Sequence, residues 1–134
     1  MKQSEAQARG LTPLCKILAH ATHAQKPAEF TAAPVGAMKK VLKKANWTTA
    51  DVDLFEINEA FAMVTMLAIK ELELDVEKVN VNGGACALGH PLGASGARIM
   101  VTLVHALKNR GLTKGLASLC IGGGEATAIA VEML

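Results

Sequence analysis

The chain has 134 residues, a formal net charge of +2 and an apolar fraction of 51%. That length suits one domain with a core of its own, and the small charge does not suggest a nucleic-acid-binding protein, which needs a dense basic patch. No apolar run approaches the ~20 residues of a membrane span. The three cysteines have no repeated spacing and the N-terminus lacks a signal-peptide pattern, so we expect a cytoplasmic protein without a disulfide framework.

Strand and helix patterns alternate along the chain. The predicted strands cover residues 11–24, 54–57, 79–82, 115–120 and 126–133. The predicted helices cover residues 35–46, about 58–71, and 94–109, where Gly111 is placed to end the last one. The helix after Asn58 is apolar nearly all round as far as Lys70, which predicts that it is buried.

This alternation predicts an α/β domain with a mixed five-stranded sheet and helices on both faces. The last two strands should be antiparallel, because the turn between them is too short for a crossover. We expect residues 1–10 to form an N-terminal extension and residues 11–134 to form the domain. Polar or reactive side chains follow three of the predicted strands, where the ligand crevice of an open α/β sheet forms.

The first of these side chains is Asn58, at the end of the strand LFEIN. Its amide can donate or accept a hydrogen bond and can hold a water molecule. The alternative is that Asn58 only caps the helix that follows. We expect Glu59 to be a structural hydrogen-bonding partner rather than a base.

The second is His90, within NVNGGACALGHPLGASGAR at residues 80–98. Glycines allow tight backbone and the close approach of a ligand, and Pro91 fixes the chain just after the histidine. The glycine spacing matches neither the dinucleotide fingerprint nor a Walker loop. Since histidine exchanges protons near neutral pH, we favour a functional His90 over an ordinary hydrogen-bonded one.

The third is Cys120, which precedes Ile121 and three glycines at 122–124. The free N–H groups of such a loop can form an oxyanion site. A buried structural cysteine is the alternative, but packing alone seldom needs three consecutive glycines. Cys15 and Cys86 are predicted to be small apolar residues.

No metal site is predicted. His20 and His23 form an H-x-x-H pattern, but no third ligand is visible in a spacing typical of zinc sites.

Three segments together resemble the C-terminal motifs of the thiolase family. They are Asn58-Glu59-Ala60-Phe61, Gly89-His90-Pro91 and Cys120-Ile121-Gly122-Gly123-Gly124. Their order and spacing match the family, and HATHAQKPAEFTAAP and ADVDLFEINEAFA are similar to it as well. The resemblance extends from about Arg9 to Leu134 and is closest to the acetyl-CoA acetyltransferase type. It implies a layered α/β C-terminal domain and a homo-oligomer that acts on acyl-CoA, with coenzyme A as substrate rather than as a bound cofactor.

The resemblance also implies residue roles. Cys120 resembles the cysteine that takes the α-proton of acetyl-CoA, once its surroundings lower its pKa from about 8.5. His90 resembles the histidine that activates the other, nucleophilic cysteine and helps to bind the thioester oxygen. Asn58 resembles the residue that holds a water in the same oxyanion hole, and the Gly122 N–H resembles a donor of the second hole. The implied coenzyme A contacts are Phe30, Ala60 and Phe61.

A basic cluster lies on the helix predicted at residues 35–46. It consists of Lys39, Lys40, Lys43 and Lys44. The simpler interpretation is a solvated helix face; the alternative is an anion site, for which a coenzyme A phosphate would be a candidate.

In the thiolase family the nucleophilic cysteine belongs to the N-terminal half, and neither Cys15 nor Cys86 has a context resembling it. We therefore expect the C-terminal part of a thiolase that is inactive alone and needs the missing N-terminal half as a partner. The alternative is a non-enzymatic module that binds coenzyme A or acyl-CoA, or that assembles through apolar surface. A ketoacyl synthase relative is disfavoured, because those sites usually pair two histidines with the cysteine.

Overall fold

Four strands form one mixed sheet in the computed structural model, which describes residues 1–134. Their order across the sheet is β1-β4-β3-β2; β1 and β3 are antiparallel to β4, and β2 is parallel to β3. The strands are β1 (Cys15–Ala24), β2 (Leu54–Ile57), β3 (Lys114–Ile121) and β4 (Glu125–Met133). The predicted antiparallel pairing of the last two strands is confirmed, and the sheet is mixed as expected.

Helices cover both faces of this sheet. They are α1 (Gln3–Ala8), α2 (Ala33–Ala45), α3 (Ala62–Leu72), α4 (Ala85–Leu88) and α5 (Ser95–Arg110). One apolar cluster packs α2 and α3 against one face, and a second packs α5 against the other. The α5 helix ends at Gly111, whose φ of +66° favours glycine, as predicted. None of the helices has both the length and the apolar composition needed to cross a bilayer.

The prediction of a fifth strand at residues 79–82 is wrong. Val79 makes one isolated bridge to Phe55, and then Asn80 takes a left-handed φ of +48° that turns the chain away. The Asn80 side chain replaces the rest of the ladder, since its Oδ1 accepts from Ile57 N at 2.8 Å and its Nδ2 donates to Ile57 O at 2.9 Å. One side chain thus satisfies the backbone groups that a longer strand would have paired.

The prediction that the helix after Asn58 is buried holds for one face only. Helix α3 begins at Ala62, and its inward face is formed by Val64, Thr65, Ala68 and Leu72. On its other side Met63 is 51% exposed and Met66 is 66% exposed. Phe61, at the N-cap of α3, is 58% exposed. The helix is apolar on both sides, but only one side is buried. The exposed side chains of Phe61, Met63 and Met66 therefore form an uncovered apolar surface near the N-terminus of α3.

The four lysines of α2 are all exposed, in agreement with a solvated helix face. Two of them also reach the edge strand β1, because Lys40 Nζ donates to Thr22 O at 3.2 Å and Lys44 Nζ donates to His20 O at 3.0 Å. Lysines at the rim of a sheet oppose pairing with another chain. Two of the four lysines, Lys40 and Lys44, therefore lie against the edge strand β1.

His20 and His23 lie on β1, three residues apart. Because side chains alternate along a strand, this spacing directs the two rings to opposite faces of the sheet. The H-x-x-H pattern consequently does not bring its histidines together.

Candidate functional site

The carboxyl ends of β2 and β3 lie side by side. These strands are parallel, with Ile57 opposite Ser118, and Asn58 N continues the ladder by donating to Ser118 O at 2.9 Å. Cys120 follows two residues later, near the end of β3. The sheet therefore brings Asn58 and Cys120 to one edge, as expected for polar residues that end neighbouring parallel strands.

Asn58 is fully buried, with 0% of its surface exposed. Its Nδ2 lies 3.4 Å from both ring nitrogens of His90, and its Oδ1 accepts from Arg98 Nη2 at 3.4 Å. The N-cap of α3 is Phe61. The interpretation of Asn58 as a helix cap is therefore wrong, and its side chain belongs to a network around His90.

His90 is half-buried in the loop between α4 and α5. Gly89, with a φ of +91°, turns the chain into this loop. The His90 Nδ1 atom lies 2.6 Å from Ser95 Oγ, which itself donates to Pro91 O at 3.2 Å. The ring is thus held between Ser95 on one side and Asn58 on the other.

Cys120 is buried, with 8% of the residue exposed, and burial raises the pKa of its thiol. No hydrogen bond joins this thiol to His90 or Asn58 within the chain. The surroundings within this chain therefore do not lower the pKa of the thiol, and the role of Cys120 as a proton acceptor stays a prediction.

The three glycines after Ile121 have different structural needs. Gly124 has a φ of +98°, and a Cβ there would collide with Gln25 O. Gly122 is exposed, and a Cβ there would meet nothing within 4 Å. Backbone geometry thus requires glycine at 124 but not at 122.

Two phenylalanines meet at the N-terminal end of α3. The rings of Phe30 and Phe61 are 6.1 Å apart between centroids and inclined by 66°, an edge-to-face arrangement. Phe30 follows Pro27 in a short 3-10 turn and is half-buried, whereas Phe61 is exposed. Ala60, also half-buried, is tied to the site through its N–H, which donates to Asn58 O at 3.0 Å.

Glu59 links two loops, as expected of a structural partner. Its Oε2 accepts from Cys86 N at 2.9 Å, and its Oε1 accepts from Asn80 Nδ2 at 3.1 Å. Burial alone would raise the pKa of Glu59, but the hydrogen bonds from Cys86 and Asn80 outweigh it, so the pKa lies below its ordinary value. Gly84 lies against this carboxylate so closely that a Cβ would overlap it.

Four polar residues of the site were missed by sequence reasoning: Glu56, Asn80, Ser95 and Arg98. Glu56 on β2 is 1% exposed, and its Oε2 accepts from Arg98 Nη1 at 3.2 Å. Burial raises the pKa of Glu56 to about 7, although the nearby Arg98 charge opposes the shift. A carboxylate inside the four-residue apolar strand LFEI was the available signal, since a charge there needs a partner.

Comparison with known proteins gives one consistent result. The family model described as "Thiolase, C-terminal domain" matches residues 11–133. The cytosolic acetyl-CoA acetyltransferase of Mus musculus is 52% identical over 132 residues, which cover 98% of this chain and 33% of that protein. The chain therefore spans about a third of the length of the mouse protein.

Solved structures have the same fold. The acetyl-CoA acetyltransferase of Bacillus anthracis superposes with a TM-score of 0.97 and is 48% identical, covering 100% of this chain and 34% of the other. The human mitochondrial 3-ketoacyl-CoA thiolase in complex with CoA has a TM-score of 0.97 and 41% identity, covering 99% and 34%. With its α/β fold and its match to the C-terminal domain model, this chain belongs to the thiolase family.

Proposed function

We propose that this chain forms the C-terminal part of an acetyl-CoA C-acetyltransferase, which condenses two acetyl-CoA molecules or cleaves a 3-ketoacyl-CoA with coenzyme A. The observation that carries the proposal is the contact of Asn58 with His90 at the carboxyl end of β2, beside the end of β3 where Cys120 lies. The identity of about half to a protein named acetyl-CoA acetyltransferase supports it.

In this proposal the Cys120 thiolate takes a proton from the methyl group of acetyl-CoA. The electron pair of that C–H bond leaves a negative charge on the thioester oxygen, which His90 and a water held by Asn58 stabilise. The resulting carbon nucleophile then attacks an acetyl group on a second cysteine, and the bond from that sulfur to the acetyl carbon breaks. The Gly122 N–H stabilises the oxygen of this acetyl group, and such preorganised donors supply several kcal/mol.

The substrate would enter beside the aromatic pair. Phe30 and Phe61 present an edge-to-face surface next to Ala60, and Phe61 is 58% exposed in the chain by itself. Exposed aromatic rings of this kind supply large apolar contact area to a ligand. We propose that these three residues contact the pantetheine part of coenzyme A.

The chain by itself is proposed to be inactive. The nucleophilic cysteine of the family lies in the N-terminal half, and burial raises the pKa of the Cys120 thiol in the chain by itself. The exposed side chains of Phe61, Met63 and Met66 offer an apolar surface for the N-terminal half. A homo-oligomer in the cytosol remains part of the proposal, and the mouse relative is named as cytosolic.

Isothermal calorimetry with coenzyme A tests substrate binding by the purified chain. We expect a measurable affinity that F61A weakens about threefold to tenfold, whereas I17A, which removes a side chain 60% exposed on β1, leaves it unchanged. Equal effects of the two variants would count against the proposed coenzyme A contacts. No heat of binding to the unmodified chain would favour the alternative of an assembly module without a coenzyme A site.

Turnover is tested separately, with acetoacetyl-CoA and coenzyme A as substrates. The chain alone is expected to show none. The remaining part of the mouse enzyme, which lies outside the region similar to this chain, is then added. Activity should appear in this mixture, and C120A should abolish it. Turnover by the isolated chain that C120A removes would overturn the proposal of inactivity.

A further inference from the structure

The first turn of α5 directs two polar side chains at the site. Ser95 and Arg98 are three residues apart, so they lie on the same face of the helix. Ser95 is 1% exposed and contacts His90, while the half-buried Arg98 contacts Asn58. One rigid element therefore touches both residues of the pair at the sheet edge.

The Ser95 hydroxyl has one proton to donate. That proton is directed to Pro91 O at 3.2 Å, so the 2.6 Å contact with His90 leaves Ser95 Oγ as the acceptor. The donor in this contact is then the N–H at His90 Nδ1. A neutral imidazole with its proton on Nδ1 has a free lone pair on Nε2.

Arg98 assigns the orientation of the Asn58 amide. A guanidinium only donates, so the atom facing Arg98 Nη2 at 3.4 Å is the amide oxygen. The Asn58 Nδ2 group consequently faces the imidazole ring, at 3.4 Å from each of the two ring nitrogens. Glu56 holds the other arm of the guanidinium at 3.2 Å, and the planar fork fixes both contacts at once.

We propose that Ser95 and Arg98 are positioning residues that together set the tautomer of His90, with the proton on Nδ1 and Nε2 left as the proton acceptor. The order of donors runs from Arg98 through Asn58 to His90, and from His90 through Ser95 to Pro91. If Ser95 donated to His90 instead, Ser95 Oγ and Pro91 O would be two acceptors facing each other at 3.2 Å.

This inference deepens the proposed function and rests on it for its chemical meaning. A histidine that activates a thiol has to accept the thiol proton, and only a ring nitrogen with a free lone pair can do so. Holding Nδ1–H against Ser95 keeps that lone pair on Nε2. The two residues of α5 would then act through His90 without touching the substrate.

Nuclear magnetic resonance of the purified chain with 15N-labelled histidine reads the tautomer directly. The spectra are recorded at a pH where the His90 ring is neutral, established by titrating the same signals, and H90Q identifies the His90 resonances among the four histidines. We expect the chemical shift of a protonated Nδ1 and an unprotonated Nε2. A proton found mainly on Nε2 would overturn the proposal.

Variants separate positioning from general stability. S95A should shift the population towards the Nε2–H form, and R98M should shift the Asn58 side-chain amide signals together with those of His90. In the N58A background R98M should no longer move the His90 signals, because Arg98 acts through Asn58. The double variant E56Q/R98M, which leaves no unpaired buried carboxylate, replaces R98M if that chain fails to fold.

The matched control is R110M, which removes an exposed arginine from the last turn of the same helix. It should leave the His90 spectrum unchanged. An S95A spectrum identical to that of the unmodified chain, or an R98M shift that persists in N58A, would contradict the proposal. Since no measurement here uses coenzyme A or turnover, an assembly module without a coenzyme A site would still be able to show the expected tautomer.

Discussion

Glu59 and Cys86 are joined by a 2.9 Å hydrogen bond from the Cys86 backbone N–H to the Glu59 carboxylate. The bond connects the loop after β2 with the start of α4, across 27 residues of sequence. The same carboxylate accepts from Asn80, whose side chain extends the sheet beyond β2. The relative placement of Asn58 and His90 therefore depends on Glu59, which takes no part in the proposed chemistry.

Replacing Glu59 by glutamine should destabilise the chain by about 1–2 kcal/mol. Both partners of the carboxylate are donors, so one of them would face the new amide NH₂ group. The loss should be full at neutral pH and should shrink as the pH falls through the lowered pKa of Glu59, because the protonated acid already resembles an amide. Urea unfolding as a function of pH measures this, with E71Q on the exposed side of α3 as the control.

The same variant should make Cys86 more reactive. Hydrogen bonding to Glu59, burial and the negative charge of Glu59 all raise the pKa of the Cys86 thiol. E59Q removes the charge, so the thiolate fraction at mildly alkaline pH should rise and alkylation by iodoacetamide should become severalfold faster. Mass spectrometry of the labelled peptides gives the rate at each cysteine. An unchanged Cys86 rate in E59Q, relative to E71Q, would show that Glu59 does not control this thiol.

Glu56 should make folding stability depend on pH. Its pKa is raised by burial from 4.5 to about 7, against the opposing Arg98 charge and with a contribution from the Glu59 charge. The folded state therefore binds more protons than the unfolded state between those values, and stability falls as the pH rises through that range. Above about pH 7 the Glu56 contribution is constant.

Comparison with E56Q isolates this effect, because the other titrating groups are common to both proteins. The stability of E56Q relative to the unmodified chain should increase between pH 4.5 and 7, by at most about 3 kcal/mol. Denaturant unfolding at several pH values provides the measurement. A stability difference that does not vary with pH would mean that Glu56 is ionised at its ordinary value in the folded chain.

The glycines after Ile121 offer a matched pair of substitutions. G124A should cost about 2–3 kcal/mol, since its φ of +98° disfavours a side chain and the new Cβ would collide with Gln25 O. G122A should change stability by less than about 0.5 kcal/mol, because the site is open. Urea unfolding compares the two directly. Similar stability losses in both variants would contradict this division between the two glycines.

Much of the architecture was predictable from local patterns. The apolar spacing of α2 and α5 and the glycine after α5 determine where these helices lie, since each helix buries one apolar stripe. The positions of Asn58 and Cys120 at the ends of two strands indicated a shared edge, because parallel strands end on the same side, whereas the strand predicted before His90 does not form. The side chains of Asn58 and His90 do meet there.

The errors have a common physical origin in contacts between distant residues. Asn80 ended the expected fifth strand by bonding Ile57, which is 23 residues away. The outward face of α3 is apolar but uncovered, and composition alone does not say which neighbour will cover a face.

By itself the amino-acid sequence determined the family, the alternation of strands and helices, and the positions of Asn58 and Cys120 near the ends of β2 and β3. These features depend on motifs and on the spacing of residues close together in the chain. Only the tertiary structure decided that Arg98 orients Asn58 and that Ser95 holds His90. Hydrogen-bond direction depends on which donor meets which acceptor in three dimensions. Arg98 and Asn58 are 40 residues apart and meet only because α5 packs across β2 and β3.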